Sequence, residues 1–432
     1  MRLLLLSLWI MLHPIIVVAQ EKSLSAGVAR VDLTPPLAMK ATLGGYGARM
    51  SKPAEGVHDR VWLKCVVLND GTRRLAIITA DSLCFPPPVR QAVIARLKSD
   101  SVSIDEVMIL PSHTHTSFDL FALHPKNIFR IPQIGVFQQA AFDHVVTKLV
   151  DVIKLANKDF KPVKVGTGRI QLAGWSRNRR GQITTDPDFT VTRIDEVTGK
   201  PLAVLVFWSA HPTFLSPKDM LFSGDWPGSL QRSLESLIGP GVTVMFANGA
   251  QGDQSPTPRY YSGESNYEKA EDYGRDVAIQ GYELWKKITT SEAPLLTWSR
   301  ATFPLPQRKK HKDFMKIGGA EYGILDKGLD VMLMTLFPTE SQTLSVRLGD
   351  LQIVGVPGEM IAELGMSVKK QVADATSAKY VVIGGLADEW ISYILTDKEY
   401  QRGGYEATIS FYGETLGSTI VEAVVKNAVS LK

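Results

Sequence analysis

The sequence predicts an α/β fold in which a mixed β-sheet core is covered by helices. Short apolar runs rich in β-branched residues alternate with longer stretches of helical periodicity, the element pattern of α/β proteins. The apolar runs lack polar alternation, as expected of strands that are buried on both faces. The composition, 44% hydrophobic and 21% charged over 432 residues, is that of an ordinary globular protein. No linker or internal repeat is evident, so we expect residues 21–432 to form a single domain.

The first residues have the pattern of a secretory signal peptide. Met1-Arg2 is a short basic start, residues 3–18 are almost wholly apolar, and Val18-Ala19-Gln20 offers a small-residue cleavage site. We therefore expect residues 1–20 to be removed and the mature protein to be secreted or periplasmic. The alternative is an uncleaved anchor, but the apolar run is short for a membrane span and is interrupted by His13-Pro14. No later stretch is apolar enough to span a bilayer, so we expect at most peripheral membrane contact.

The predicted elements then follow in order along the chain. Continuous apolar runs with many β-branched residues predict strands at 62–68, 75–79, 107–110, 204–208, 242–246, 351–356 and 380–383. Apolar residues at helical spacing predict helices at 89–98, 141–155, 228–237, 267–287, 360–375 and 415–426. The charge run at 304–313 is interpreted as a solvated loop.

Charge and cysteine usage exclude some classes of protein. The formal net charge is +4, and no dense basic tract is flanked by aromatic residues, so nucleic-acid binding is not predicted. Cys65 and Cys84 each lie in or beside an apolar run, and buried free thiols and a disulfide remain equally open. Neither belongs to a metal-binding motif.

The most informative motif is His113-Thr114-His115, directly after the predicted strand at 107–110. In extended chain, side chains two residues apart point to the same side, so the two imidazoles form a candidate ligand pair. Histidine is a common metal ligand and also suits proton transfer near neutral pH. The motif alone is a weak signal, because such pairs also occur in turns and on solvated strand faces.

Polar residues follow three other predicted strands. His211 comes after 204–208, Gly252-Asp253 comes after 242–246, and Glu359 follows 351–356. Loops at the carboxyl ends of strands form the usual ligand crevice of α/β sheets, so we expect these residues to converge on the histidine pair. Taken singly, His211 fits a strand terminator, Gly252-Asp253 a plain turn and Glu359 a helix cap.

Together these motifs resemble those of the neutral (non-lysosomal) ceramidase family. The resemblance runs in sequence order through almost the whole mature chain: residues 27–36, Gly44-Gly45-Tyr46, His113-Thr114-His115, Asn178-Arg179, His211-Pro212-Thr213, Gly252-Asp253-Gln254-Ser255-Pro256, Pro357-Gly358-Glu359, Tyr393-Ile394, Glu399-Tyr400-Gln401 and Tyr405-Glu406-Ala407. It implies a ceramidase-like catalytic domain with one zinc ion per chain at the strand ends, held by His113, His211, Glu359 and Tyr393.

The resemblance also implies which residues act on the substrate. His115, Arg179 and Tyr405 would surround the scissile carbonyl, where donors stabilise the developing oxyanion. Ser255 matches a serine essential to the family, as a substrate contact or a nucleophile. We favour a substrate contact, because zinc-bound hydroxide supplies a nucleophile and no base for the serine is evident nearby in the sequence. Asp253, in the same motif, is included among the substrate-binding residues.

Departures from the family pattern limit the substrate prediction. About 25 residues follow Tyr405-Glu406, so the C-terminal immunoglobulin-like domain of ceramidases is expected to be absent. The family's Asn-Arg-Ser-Pro is here Asn178-Arg179-Arg180-Gly181, and the asparagine after Ser-Pro is replaced by Thr257. Arg177 and Arg180 therefore favour an anionic or strongly polar group on the substrate, or else form a solvated basic loop.

Three functions follow from these residues. The first is an exported zinc-dependent hydrolase of an N-acyl amide bond, with ceramide or a related N-acyl lipid as substrate. The second is a hydrolase or lyase on a polar carbohydrate- or peptide-derived substrate, and the third is an inactive binding protein. A deep apolar well would favour the lipid, and a shallow arginine-lined cleft would favour the polar substrate. The oligomeric state is not predicted.

Overall fold

The predicted α/β architecture is confirmed in the computed structural model, which describes residues 24–257, 265–292, 294–324 and 326–431. The predicted signal peptide, residues 1–20, lies outside the described residues, so its removal stays a prediction. None of the helices in the described part of the chain combines the length and apolar character that a membrane crossing needs.

The strands of the described residues are β1 Ser25–Asp32, β2 Gly56–Val57, β3 Trp62–Asn69, β4 Arg74–Ala80, β5 Glu106–Pro111, β6 Lys161–Gln171, β7 Ser176–Asn178, β8 Asp188–Glu196, β9 Pro201–Trp208, β10 Leu221–Phe222, β11 Thr243–Asn248, β12 Gln254–Pro256, β13 Leu296–Pro304, β14 Glu340–Leu348, β15 Leu351–Gly355, β16 Glu359–Met360, β17 Tyr380–Gly384 and β18 Tyr393–Ile394. The α-helices are α1 Pro87–Ser99, α2 Gln139–Ala156, α3 Asp225–Ile238, α4 Asn266–Trp285, α5 Gly318–Tyr322, α6 Asp326–Leu336, α7 Ala362–Ala375, α8 Asp397–Arg402, α9 Tyr405–Thr408 and α10 Leu416–Val429.

Two mixed sheets form the core. The larger has the order β11-β9-β8-β6-β1-β3-β4-β5, with parallel pairs at both edges and antiparallel pairs between them. The smaller has the order β13-β14-β15-β17, in which only β15 and β17 are parallel. Apolar side chains from both sheets pack together in one buried cluster. Helices α1 to α4 cover the larger sheet, and α7 and α10 cover the smaller.

The larger sheet curves until its edge strands meet, which explains how distant motifs converge. Strand β11, at one edge, contacts β4 and β5 at the other. Asn248, the last residue of β11, donates hydrogen bonds from Nδ2 to the carbonyl oxygens of Ser112 at 3.0 Å and Ala210 at 2.9 Å. One buried side chain therefore ties together the ends of β5, β9 and β11, from which the histidine motifs emerge.

Several sequence predictions need correction. Strands β1, β6, β8, β13 and β14 were not predicted, since polar or charged residues interrupt their apolar runs. The predicted helix at 360–375 begins at Ala362, because Glu359–Met360 pairs as a short strand. The segment 304–313 is only partly solvated, since His311 is buried. Both cysteines are buried free thiols, and no disulfide joins them.

Candidate metal centre and substrate cavity

The histidine motif leaves the sheet as a loop rather than as extended chain. Strand β5 ends at Pro111, and His113 has a positive φ of 72°, a conformation that costs energy for any residue other than glycine. The prediction that strand alternation aligns the two rings is therefore wrong. The rings of His113 and His115 nevertheless lie close, with centroids 4.9 Å apart, because the strained turn redirects the chain.

Main-chain carbonyl groups fix the orientation of two imidazole rings. Nδ1 of His113 lies 2.7 Å from the carbonyl oxygen of Leu83, and Nδ1 of His211 lies 2.7 Å from that of Gln251. A carbonyl oxygen only accepts hydrogen bonds, so each Nδ1 carries a proton and each Nε2 is the ring atom that faces the centre. Metal-binding histidines are commonly held in this way.

Both Nε2 atoms face one carboxylate oxygen. Glu359 Oε2 lies 3.2 Å from Nε2 of His113 and 2.9 Å from Nε2 of His211. Burial lowers the pKa of His211 to about 4, so this ring is neutral near pH 7. Facing lone pairs repel unless a cation lies between them, so the donor set fits a metal ion.

A third histidine adjoins these groups. One ring nitrogen from each of His113, His115 and His211 lies within 4.8 Å of the others, and all three residues are buried. Neither ring nitrogen of His115 has a hydrogen-bond partner among the described residues. Burial, together with the two neighbouring histidines, holds the pKa of His115 well below its ordinary value. His115, predicted as a catalytic group, is therefore a neutral ring with both nitrogens available at this centre.

Glu359 and Tyr393 are brought together by a small parallel pairing. Strand β16 pairs with β18, which places Glu359 directly opposite Tyr393. The indole Nε1 of Trp390 donates to Glu359 Oε1 at 2.8 Å, so Oε2 remains for the histidines. All four residues predicted as metal ligands thus lie in one buried group, although their role as ligands stays a prediction.

Arg179 holds the hydroxyl group of Tyr393. Its Nη2 donates to the Tyr393 hydroxyl at 3.0 Å, and its Nε donates to Glu406 Oε1 at 2.7 Å. Burial opposes the charge of Arg179, but Tyr393, Glu406 and Glu359 outweigh burial and raise its pKa. Tyr405 is another predicted catalytic residue. Its hydroxyl oxygen lies 2.9 Å from that of Tyr322, and the residue lines the cavity described below.

Asp253, Ser255 and Arg177, which were predicted to act on the substrate, lie outside the group of predicted metal ligands. Asp253 accepts hydrogen bonds from Ala362 N and Asn178 Nδ2 at 2.9 and 2.6 Å, and it is only 3% exposed. Both oxygens of this carboxylate already accept hydrogen bonds from the protein itself, which argues against a substrate-binding role. Ser255 is buried in β12, opposite the exposed Arg177 of β7, and neither residue is among those that line the cavity.

Arg180 also differs from its predicted role. Its guanidinium donates to Glu399 Oε2 at 2.9 Å and to Glu406 Oε2 at 2.7 Å, and its side chain is 5% exposed. Two further bonds reach the carbonyl oxygens of Glu399 and Gly403. Because two carboxylates and two main-chain carbonyl oxygens already accept from its guanidinium, Arg180 has few N–H groups left for an anionic substrate.

An apolar cavity leads to the polar centre. At its polar end it reaches His113, His115, Glu359, Tyr393 and Tyr405. Most of the remaining wall consists of apolar and aromatic side chains, namely Leu83, Leu120, Phe121, Ile134, Phe314, Ile324, Met332, Phe337, Trp390, Ile409 and Phe411. Segments from 121–134 and 314–337 thus supply much of the wall.

Sequence reasoning missed residues that support the centre from outside the motifs. Arg49 is buried and donates to the carbonyl oxygens of Gly44, His115, Ser216 and Asp219. Its signal in the sequence is slight, since a single arginine near Gly44-Gly45 looks like an ordinary surface residue. Glu406 did carry a signal, because it directly follows Tyr405 in a motif already singled out.

Gly45 is predicted to be indispensable to the position of His115. Its φ is +83°, and a Cβ at this residue would lie 2.2 Å from Nδ1 of His115. Gly45→Ala should therefore displace the His115 ring against the neighbouring ring of His113, 4.9 Å away, and lower metal affinity as well as thermal stability. Gly174→Ala is the matched control, because Gly174 has a φ of +77° with nothing within 4 Å of its Cβ position. Circular dichroism melting and metal titration of both variants test this, and equal effects would contradict a specific clash with His115.

The comparisons with known proteins agree on one family and one fold. A family model described as neutral/alkaline non-lysosomal ceramidase, N-terminal, matches residues 24–265 and 304–421. The neutral ceramidases of Pseudomonas aeruginosa and Mycobacterium tuberculosis are each 22% identical to the chain, over 94% and 95% of it and 72% and 77% of their own lengths. The crystal structure of neutral ceramidase from P. aeruginosa matches with a TM-score of 0.82 at 20% identity, covering 95% of this chain and 75% of that one.

The fold and the site define an α/β protein with a buried histidine and carboxylate cluster at the end of an apolar cavity. Since the family model matches far more than half of the chain, the protein belongs to the neutral/alkaline non-lysosomal ceramidase family. The resemblance inferred from the sequence motifs is thereby confirmed.

Proposed function

We propose that this protein is an exported zinc-dependent amidohydrolase that cleaves the N-acyl bond of ceramide or a related N-acyl lipid. The observation that carries this proposal is the apolar cavity, which ends at His113, His115 and Glu359. Burying an alkyl chain there stabilises a complex by about 0.8 kcal/mol for each CH₂ group. A polar carbohydrate would instead lose hydrogen bonds to water that these apolar walls cannot replace.

The proposed reaction uses the polar end of the cavity. His113, His211, Glu359 and Tyr393 would hold zinc, which polarises a carbonyl group and lowers the pKa of water. His115 lines the cavity with neither ring nitrogen bonded by a described residue, so its ring is available for a hydrogen bond to the substrate. The Tyr405 hydroxyl, which burial keeps protonated by raising its pKa, is suited to donate to the developing oxyanion. Arg179 holds Tyr393 in place and adds positive charge.

Other parts of the proposal rest on the sequence. Export follows from the signal-peptide pattern of residues 1–20. Ser255 is retained as a substrate contact through its family motif. An anionic substrate is not favoured, because Arg180 is already paired with Glu399 and Glu406. An inactive binding protein is not favoured either, since every residue of the implied ligand set is present and close to the others.

The proposal is tested by turnover of a fluorogenic N-acyl sphingosine beside a panel of polar amides and esters, with zinc and with chelator. We expect hydrolysis of the N-acyl lipid only, and its loss on chelation. Within a series of acyl chains, kcat/KM should rise roughly fourfold per added CH₂ until the cavity is filled, which corresponds to about 0.8 kcal/mol each. Faster turnover of a polar amide, or a flat dependence on chain length, would contradict the proposal.

A further inference from the structure

One carboxyl group in the apolar cavity has no part in the chemistry proposed above. Asp119 lies on the loop that follows His115, and its side chain lines the cavity. Its Oδ1 accepts hydrogen bonds from the main-chain N–H groups of Phe121 and Ala122, both at 2.9 Å. No described residue donates a hydrogen bond to Oδ2. One carboxyl oxygen is thus fixed by the loop, and the other remains available to a ligand.

The surrounding chain holds this carboxyl group in place. The main-chain N–H of Asp119 donates to the carbonyl oxygen of Thr42 at 3.1 Å. Gly135 has a φ of +124° and lies so close that a Cβ there would be 2.1 Å from Asp119 Oδ1. The backbone on both sides therefore fixes Oδ1, and the orientation of Oδ2 follows from the planarity of the carboxyl group.

Asp119 lies beside the polar centre. A Cβ at Gly44 would be 2.8 Å from the Asp119 Cα, while one at Gly45 would be 2.2 Å from His115 Nδ1. Two consecutive glycines thus contact the carboxyl-bearing loop and the histidine ring, which places both at the same end of the cavity. Asp119 and His115 are therefore both lining residues of the cavity near Gly44 and Gly45.

Among the described residues, no cation forms an ion pair with this carboxyl group. Arg49 lies near enough to lower the pKa of Asp119, but its guanidinium donates to four main-chain carbonyl oxygens. Burial raises the pKa of Asp119 to about 7, against the two main-chain hydrogen bonds and Arg49. Asp119 is only partly buried and Oδ2 is not among the buried atoms without a partner, so a donor on a ligand in the cavity can reach this oxygen.

We propose that Asp119 forms a subsite for the amine half of the substrate, where Oδ2 accepts a hydrogen bond from a hydroxyl or ammonium group beside the scissile nitrogen. This inference rests on the proposed function, because an amine half exists only if the protein cleaves an amide. Hydrolysis adds the hydroxyl of water to the acyl carbon and a proton to the nitrogen. The released amine then takes the proton of the released acid and becomes an ammonium ion. Asp119 thereby selects N-acylated 2-amino alcohols over simple N-alkyl amides.

A binding experiment tests the subsite without turnover. The probes are a medium-chain 2-amino alcohol and the alkanol of the same chain length, titrated calorimetrically into the zinc-loaded protein. Asp119→Asn keeps an oxygen for the N–H groups of Phe121 and Ala122 but removes the charge. We expect this variant to weaken binding of the amino alcohol by about 10- to 100-fold, as for a hydrogen bond to a charged group, and to change the alkanol far less.

Asp70→Asn is the matched control, because Asp70 Oδ1 accepts from the main-chain N–H groups of Thr72 and Arg73 in an exposed turn. It should leave both titrations unchanged. A wild-type protein that binds the two probes equally, or an Asp119→Asn variant that weakens both equally, would show that Asp119 only caps its loop and would overturn the subsite.

A kinetic comparison separates this inference from the proposed function. The kcat/KM values of an N-acyl amino alcohol and of the matching N-acyl alkylamine are measured for the wild type and Asp119→Asn. We expect the wild type to prefer the hydroxylated substrate by about tenfold and the variant to lose that preference, which is a coupling between residue and hydroxyl. Turnover without any such coupling would overturn the subsite alone. Absence of amide turnover, with selective amine binding retained, would overturn the proposed function and leave the subsite supported.

Discussion

Replacing His113 or His211 by alanine is expected to abolish both metal binding and hydrolysis. The Nε2 atom of each of these two rings faces Glu359 Oε2, and the Nδ1 atom of each is held by a main-chain carbonyl group. Loss of a residue that only orients a ligand costs roughly 10- to 100-fold in metal affinity, and loss of a ligand itself should cost more. Elemental analysis after reconstitution with zinc, together with turnover, measures both effects.

The control is His144→Ala, which removes a partly buried histidine whose Nε2 lies 3.0 Å from the carbonyl oxygen of Leu33, outside the cluster. It should keep full zinc content and activity. Addition of zinc should also raise the melting temperature of the wild type, because a ligand that binds only the folded state stabilises it. A His211→Ala variant that keeps stoichiometric zinc and the same thermal shift would refute the proposed ligand set.

Arg180→Gln is expected to destabilise the protein rather than to weaken binding of an anionic substrate. The change would leave Glu399 and Glu406 buried beside an uncharged side chain, with side-chain exposures of 5% and 7%. Breaking a buried ion pair by removing one partner typically costs about 3–5 kcal/mol, and we expect the lower end here because Arg179 still pairs with Glu406 and Arg402 with Glu399. The expected result is a large fall in the free energy of unfolding, measured by urea denaturation.

Arg177→Gln provides the control, since Arg177 is exposed and belongs to the same short segment. It should change neither the free energy of unfolding nor the kinetics. Arg180→Lys should recover part of the lost stability, because lysine keeps the charge but lacks the planar fork that reaches two carboxylates. If Arg180→Gln instead melted like the wild type and raised only KM, in a salt-dependent way, an anionic substrate would again be favoured.

The strands and the polar residues that directly follow them were predictable from the sequence. Continuous apolar runs predicted β5, β9, β11 and β15, and the polar residues that follow these strands were expected to converge. The structure brings His113, His211 and Glu359 together at these strand ends. The family was also readable, because its short motifs occur in the expected order and need no knowledge of packing.

Properties that depend on contacts between distant residues were not predictable in this way. The pairing of Arg180 with Glu399 and Glu406 spans 219 and 226 positions, so a basic cluster in the sequence gave no sign that its charge was already neutralised. The tautomers of His113 and His211 likewise depend on the carbonyl groups of Leu83 and Gln251, which carry no side-chain signal.

The sequence by itself determined the family, the α/β class and the identity of the polar residues at the strand ends. Strand periodicity and residue chemistry are local properties, and the order of the motifs is contained in the chain. The tertiary structure decided which charges are free, which histidine nitrogens face the centre, and that an apolar cavity leads to it. These depend on burial and on the curvature of the sheet, because both determine which distant groups share a low-dielectric environment.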